Sequence, residues 1–116
     1  MITSEFDEIY SRFYLRVKDY EIVGLDEKLV KEMLNGYLKS TLSKPMVRRL
    51  FSSINMDGDI EEIEYELRNP LDDDSDKDFV EEVLGLGMVC SWLSPRYHST
   101  LLTSQFIANS EQRFYA

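Results

Sequence analysis

The chain has 116 residues and a mass of 13.6 kDa, enough for one domain and too little for two. Its composition, 43% apolar and 30% charged, is that of a folded globular protein rather than a disordered one. With 22 acidic and 13 basic side chains it carries a net charge of −9, which argues against a sequence-independent grip on duplex DNA, since that grip depends on neutralising phosphates with Lys and Arg.

The lone cysteine, Cys90, excludes an internal disulfide, and together with the lone histidine, His98, it excludes the common Cys/His zinc sites. No apolar run approaches the about 18 residues that a bilayer span needs. The start, Met-Ile-Thr-Ser-Glu-Phe-Asp, lacks the basic and apolar regions of a signal peptide, so an intracellular protein without a membrane partner is expected. The charge is unevenly placed. From Asp57 to Glu82 there are thirteen acids and two bases, a balance of −11, while the other ninety residues balance at +2. The run Asp72-Asp73-Asp74-Ser75-Asp76 repels itself and reads as a solvated loop entering a helix; the sharper reading is a surface that meets a basic partner or repels passing nucleic acid.

The first predicted helix carries Phe6, Ile9, Tyr10, Phe13, Tyr14 and Val17 on one broad face, with Ser4 and Asp7 as a start signal. Lys18 to Gly24 reads as a connection. A second helix follows Asp26, with Leu29, Val30, Met33, Leu34, Tyr37, Leu38 and Leu42 inward and Pro45 at its end. Glu62 to Arg68 alternates strictly, a strand period, after the turn residues Asn55-Met56-Asp57-Gly58-Asp59; Ser53–Met56 or another subunit would pair with it. A third helix is predicted from Asp76 to Leu93, started by Ser75 and Asp78. One stripe of it is Phe79, Val83, Leu86, Val89 or Cys90, and Leu93; Val80, Leu84, Met88 and Trp92 lie beside it. Being apolar nearly all round from Leu84 onward, it is expected to be the most buried helix. Gly85 and Gly87 allow close approach by a neighbour or weaken the helix locally. Pro95 then opens a short fourth helix with Tyr97, Leu101 and Leu102 inward. The expected fold is mainly α: a compact bundle of about four helices with a small β-element, a short strand or hairpin, in the acidic middle segment. Residues 1–116 form one domain, with 104–116 an assembly tail or the start of a longer helix.

Residues 53–64 overlay a calcium-binding EF-hand loop, with Asn55, Asp57, Glu61 and Glu64 at ligand positions and Gly58 at the turn. Ser53 stands where a carboxylate is needed, and the exiting helix would begin in a strand pattern and meet Pro70. An acidic turn is therefore expected, without a metal. His98 has no nucleophile setting around it, Cys90 reads as a small core residue, and no Gly-rich phosphate loop is present. The chain reads as a non-enzyme without a cofactor. Six Phe, seven Tyr and one Trp exceed what a small helical core needs, and tyrosines are enriched where proteins meet.

Leu86-Gly87-Met88-Val89-x-x-Trp92-Leu93-x-Pro95, with Ser99, Gln105-Phe106 and Phe114-Tyr115, resembles a group of small helical proteins encoded in the structural modules of tailed bacteriophages. Met33-Leu34-x-Gly36-Tyr37-Leu38-Lys39-Ser40 is similar to the same group. The match covers roughly residues 5–43 and 79–115. It implies a non-enzymatic virion structural protein of the neck, a head–tail connector or adaptor that assembles as a ring below the portal and extends the DNA channel. Its partners would be other copies, the portal and further neck or tail proteins, with DNA passing nearby without specific binding. Its location would be the virion neck, and the host cytoplasm during assembly. On this reading the interface contacts are Tyr10, Tyr14, Tyr37, Trp92, Phe106, Phe114 and Tyr115. Two departures stand out: Ser91 replaces the acid that relatives tend to carry before the Trp, and relatives tend to continue past the Phe-Tyr pair into a long C-terminal helix. Either the ring-to-portal contacts do not carry over or the chain is truncated. The acidic segment 57–82 lies between the matched blocks and is outside the resemblance. The alternatives are a monomeric acidic adaptor or regulator of a basic partner and, behind it, a calcium-binding module at residues 53–64.

Overall fold

The computed structural model describes residues 1–18 and 26–115, with side chains through Pro95. Strand β1 (Ile2–Glu5) runs straight into helix α1 (Phe6–Tyr14). Helix α2 (Glu27–Ser43) is followed after Lys44 by a single helical turn, α3 (Pro45–Arg48). Strands β2 (Phe51–Asp57) and β3 (Glu62–Leu67) form a hairpin, and α4 (Asp73–Tyr115) spans 43 residues. The three strands make one antiparallel sheet in the order β1-β3-β2.

This is a mixed α/β fold, which corrects the expected mainly helical bundle of four. The strand predicted at Glu62 is the centre of the sheet, and its second partner comes from the N-terminus: Ile2 pairs with Tyr65 and Ser4 with Ile63. Such pairing is created by tertiary contact and leaves little trace in a four-residue segment, which by itself reads as the lead into α1. The predicted fourth helix is likewise absent as a separate element. Pro95 lies inside α4, where it has no N–H to give the Ser91 carbonyl, and the helix continues past it.

The hairpin turn is tied to α1. Asp57 accepts the Asp59 N–H at 3.0 Å, Glu61 adopts a left-handed φ of 53°, and its carbonyl accepts the Phe6 N–H at 2.9 Å, fixing the start of α1. The cap of α4 is Asp72 rather than Ser75. Its carboxylate accepts the Ser75 N–H at 2.8 Å, which holds the Asp72 carboxyl below its ordinary range. Asp76 reaches back to the Leu71 N–H at 3.1 and 3.2 Å, so one acid of the predicted solvated run is buried.

The core lies between one face of the sheet and the helices. Ile63, Tyr65 and Leu67 of β3 alternate inward and pack with Phe6, Ile9 and Phe13 of α1, Leu34, Leu38 and Leu42 of α2, and Val80, Leu84 and Met88 of α4. The buried Tyr65 hydroxyl is satisfied by Ser4 Oγ at 2.9 Å. Gly85 and Gly87 set the spacing of α4. A Cβ on Gly85 would lie 2.6 Å from Arg12 Cβ on α1, and one on Gly87 would overlap the Thr41 side chain on α2. Of the two roles weighed for these glycines, close approach is the one observed.

Candidate assembly surface

Helix α4 has two apolar stripes, and the body covers only one. Val80, Leu84 and Met88 are fully buried against α1, α2 and the sheet. The neighbouring stripe faces outward: Phe79 is 47% exposed, Leu86 42% and Leu93 50%, with Val83 half-buried and Cys90 exposed between them. The expectation that α4 is the most buried helix therefore holds for one stripe alone. Cys90 is a surface residue, not the small core residue expected. A helix packing on one side needs an apolar arc of about 100°. This one is apolar over more than that, and the excess width is the sequence signal for a second contact.

The helix is also long for its body. Forty-three residues at 1.5 Å each make about 64 Å, which matches the 63 Å long axis of the molecule. The radius of gyration is 18.2 Å, against about 13 Å for a compact chain of this length.

Charged side chains pin α1 to α4. Arg12 bridges Asp78 at 2.6 Å and Glu82 at 2.8 Å, Arg16 also engages Glu82, and Lys77 reaches Glu8 at 3.2 Å. Within this lattice Glu81 is buried beside Glu8. Burial, followed by the hydrogen bond and charge of Glu8, pushes the Glu81 carboxyl up to about 7, while the Glu81 hydrogen bond, with Lys77 and Arg12 nearby, holds Glu8 down. Neither stood out in the sequence, where carboxylates were too many to rank.

The outer face of the sheet is acidic. Glu62, Glu64 and Glu66 alternate with the core residues of β3, and Glu62 lies between Glu5 on β1 and Asp57 on β2. Among the described residues none of these five acids forms an ion pair. The EF-hand overlay dissolves here: Asn55 and Glu64 face each other across a β-ladder, no exiting helix follows, and Gly58 has no left-handed φ. No cluster of three or more His, Cys, Asp or Glu able to hold a metal occurs among the described residues.

The aromatic residues expected at interfaces are scattered. Tyr10 is 8% exposed and packs on Phe6 with ring centroids 6.1 Å apart; burial raises its phenol to about 12. Tyr14 is 42% exposed, while Tyr37 and Trp92 are half-buried against the core. The side chains of Phe106, Phe114 and Tyr115, and that of His98, lie outside the described residues. Tyr10 and Tyr14 line a groove of about 270 Å³ between α1 and α2, with Val30, Lys31 and Leu34 opposite. Among the described residues no helix is long and apolar enough to cross a membrane. Comparison with protein-family models, curated proteins and solved structures finds no match.

Proposed function

We propose that the chain is a non-enzymatic structural subunit of a tailed-phage neck, a head–tail connector or adaptor that assembles as a ring below the portal and extends the DNA channel. The observation that supports this reading best is α4, which is far longer than its body requires and turns an uncovered apolar stripe outward. A helix of that kind gains its burial from a neighbour, and a stable subunit contact needs such a desolvated apolar centre. The acidic sheet face suits a channel lining, because unpaired carboxylates repel DNA phosphates and let the duplex slide. The molecule would act mechanically, as a spacer and platform, with no bond made or broken.

The test is electron microscopy of purified portal mixed with this protein. A ring of added density on one end of the portal is expected; portals that stay bare at saturating protein sink the reading. The acidic face also favours a second reading, a monomeric adaptor or regulator that binds a basic partner. Sedimentation with a basic partner protein tests it, and salt-sensitive 1:1 association without self-assembly is its expected result.

A further inference from the structure

We propose that the free edge of β2 pairs antiparallel with β2 of a second copy of this chain, about a twofold axis, so that two three-stranded sheets become one continuous sheet. The proposal goes beyond the connector reading and does not rest on it. A twofold contact closes on two copies. It is therefore separate from any contact that closes a ring, and it leaves the outward stripe of α4 unused.

The sheet order β1-β3-β2 leaves β2 paired on one side only. Alternate residues along it turn their N–H and C=O groups away from β3. Among the described residues no backbone hydrogen bond reaches them from another element. Natural edge strands discourage pairing with Lys, Pro, bulges or short length. Strand β2 runs for seven residues, Phe-Ser-Ser-Ile-Asn-Met-Asp, with no Lys, Arg or Pro and its single acid at the end. Its irregularity falls between Phe51 and Ser53, so Ser53–Asp57 stays regular. The other edge, β1, has four residues and packs beside α4. Beneath the free edge, the half-buried Ile54 and Met56 open with Leu42 onto a cleft of about 200 Å³.

The hairpin carries opposite charge at its two ends, which points to a second copy as the occupant. Arg48 and Arg49 lead into β2, and Arg68 leaves β3 beside them, its N–H bonded to the Leu50 carbonyl at 3.0 Å. At the turn lie Asp57, Asp59, Glu61 and Glu62. Among the described residues none of these side chains forms an ion pair. Antiparallel pairing sets the basic end of each hairpin against the acidic turn of the other, whereas parallel pairing would set like ends together. A register with Ile54 opposite its own counterpart keeps Ile54 and Met56 on the core side, with Ser53 opposite Asn55 on the outer face. The acidic rows of β3 do not oppose it. The two β3 strands would lie three strand spacings apart, about 14 Å, beyond the Debye length of about 8 Å at physiological salt.

Sedimentation equilibrium of the full chain tests the proposal. The wild type is expected to dimerise with concentration, half-associated at about 10–100 μM because an edge contact is a small interface, and to dissociate as salt rises. Arg48→Glu with Arg49→Glu makes both hairpin ends acidic, and Asp59→Lys with Glu61→Lys and Glu62→Lys makes both basic. These side chains are exposed or half-exposed, so the fold is kept, and circular dichroism checks this. Each variant alone should dimerise at least about tenfold more weakly. An equimolar mixture of the two should restore a 1:1 dimer of about wild-type strength, since every acidic end then meets a basic one. Ile54→Lys, which puts a charge at the centre of the edge, should abolish the dimer. A wild type that stays monomeric up to about 1 mM, variants that associate like the wild type (the outcome if α4 carries the contact), or a mixture no stronger than either variant alone would each overturn it.

Discussion

Gly36, Gly85 and Gly87 are all helical glycines, yet their surroundings separate them. Nothing lies within 4 Å of a Cβ built on Gly36, whereas one on Gly85 or Gly87 meets Arg12 or Thr41. Gly36→Ala should therefore stabilise by about 0.5–1 kcal/mol, the ordinary helix-propensity gain. Gly87→Ala should reverse sign and cost about 1–3 kcal/mol, because α4 must shift off α2. Urea unfolding midpoints check both, and equal shifts would contradict the close-approach account. Glu81 gives a second residue-scale prediction. Its folded pKa is raised above its unfolded value, so the stability it contributes is present at low pH and lost as pH rises through about 7. The melting temperature of the wild type should fall as pH rises from about 4.5 to about 7, the unfolded and folded values of Glu81. In Glu81→Gln, which keeps a neutral hydrogen-bonding group beside Glu8, that fall should be largely removed. Parallel pH profiles for the two proteins would show that Glu81 is not raised in the folded state.

At the scale of elements, what could be read from the sequence followed from how local each signal is. The β3 alternation of Ile63, Tyr65 and Leu67 is a period-two pattern that any window over it reveals, and the faces of α1 and α2 were legible for the same reason. The partner of β3 at Ile2–Glu5 was not, because what makes that segment a strand is its pairing with β3, about sixty residues away. In α4 the two stripes were visible but not their ranking: Leu84 and Leu86 are the same residue type, and only the positions of α1 and α2 decide which is covered. That ranking is testable. Leu84→Ala or Met88→Ala should cost about 2–5 kcal/mol, whereas Phe79→Ser and Leu93→Ser should stay within about 0.5 kcal/mol. Chemical denaturation of the four variants checks it, and comparable losses from both stripes would refute the assignment. The hairpin supports one further expectation. With Asn55, Asp57 and Glu64 held on paired strands, titration with millimolar calcium should give no saturable heat.

The whole molecule is a small two-layer body carrying a helix about as long as the molecule itself. The candidate surface was only partly legible. The aromatic surplus and the resemblance pointed to assembly, but they nominated Tyr10, which the fold places in the core, and did not single out Phe79, Leu86 and Leu93, which it turns outward. The net charge of −9 likewise divides once the fold is known: an acidic sheet face and helix start on one part of the body, and on another the cations of α2 and α3, which form no ion pair among the described residues. At this scale the proposal is a ring-forming subunit of a phage neck. Electron microscopy of portal with added protein tests it most directly. A ring of density on one end of the portal that Leu86→Glu abolishes is the expected result; bare portals at saturating wild-type protein would contradict the proposal.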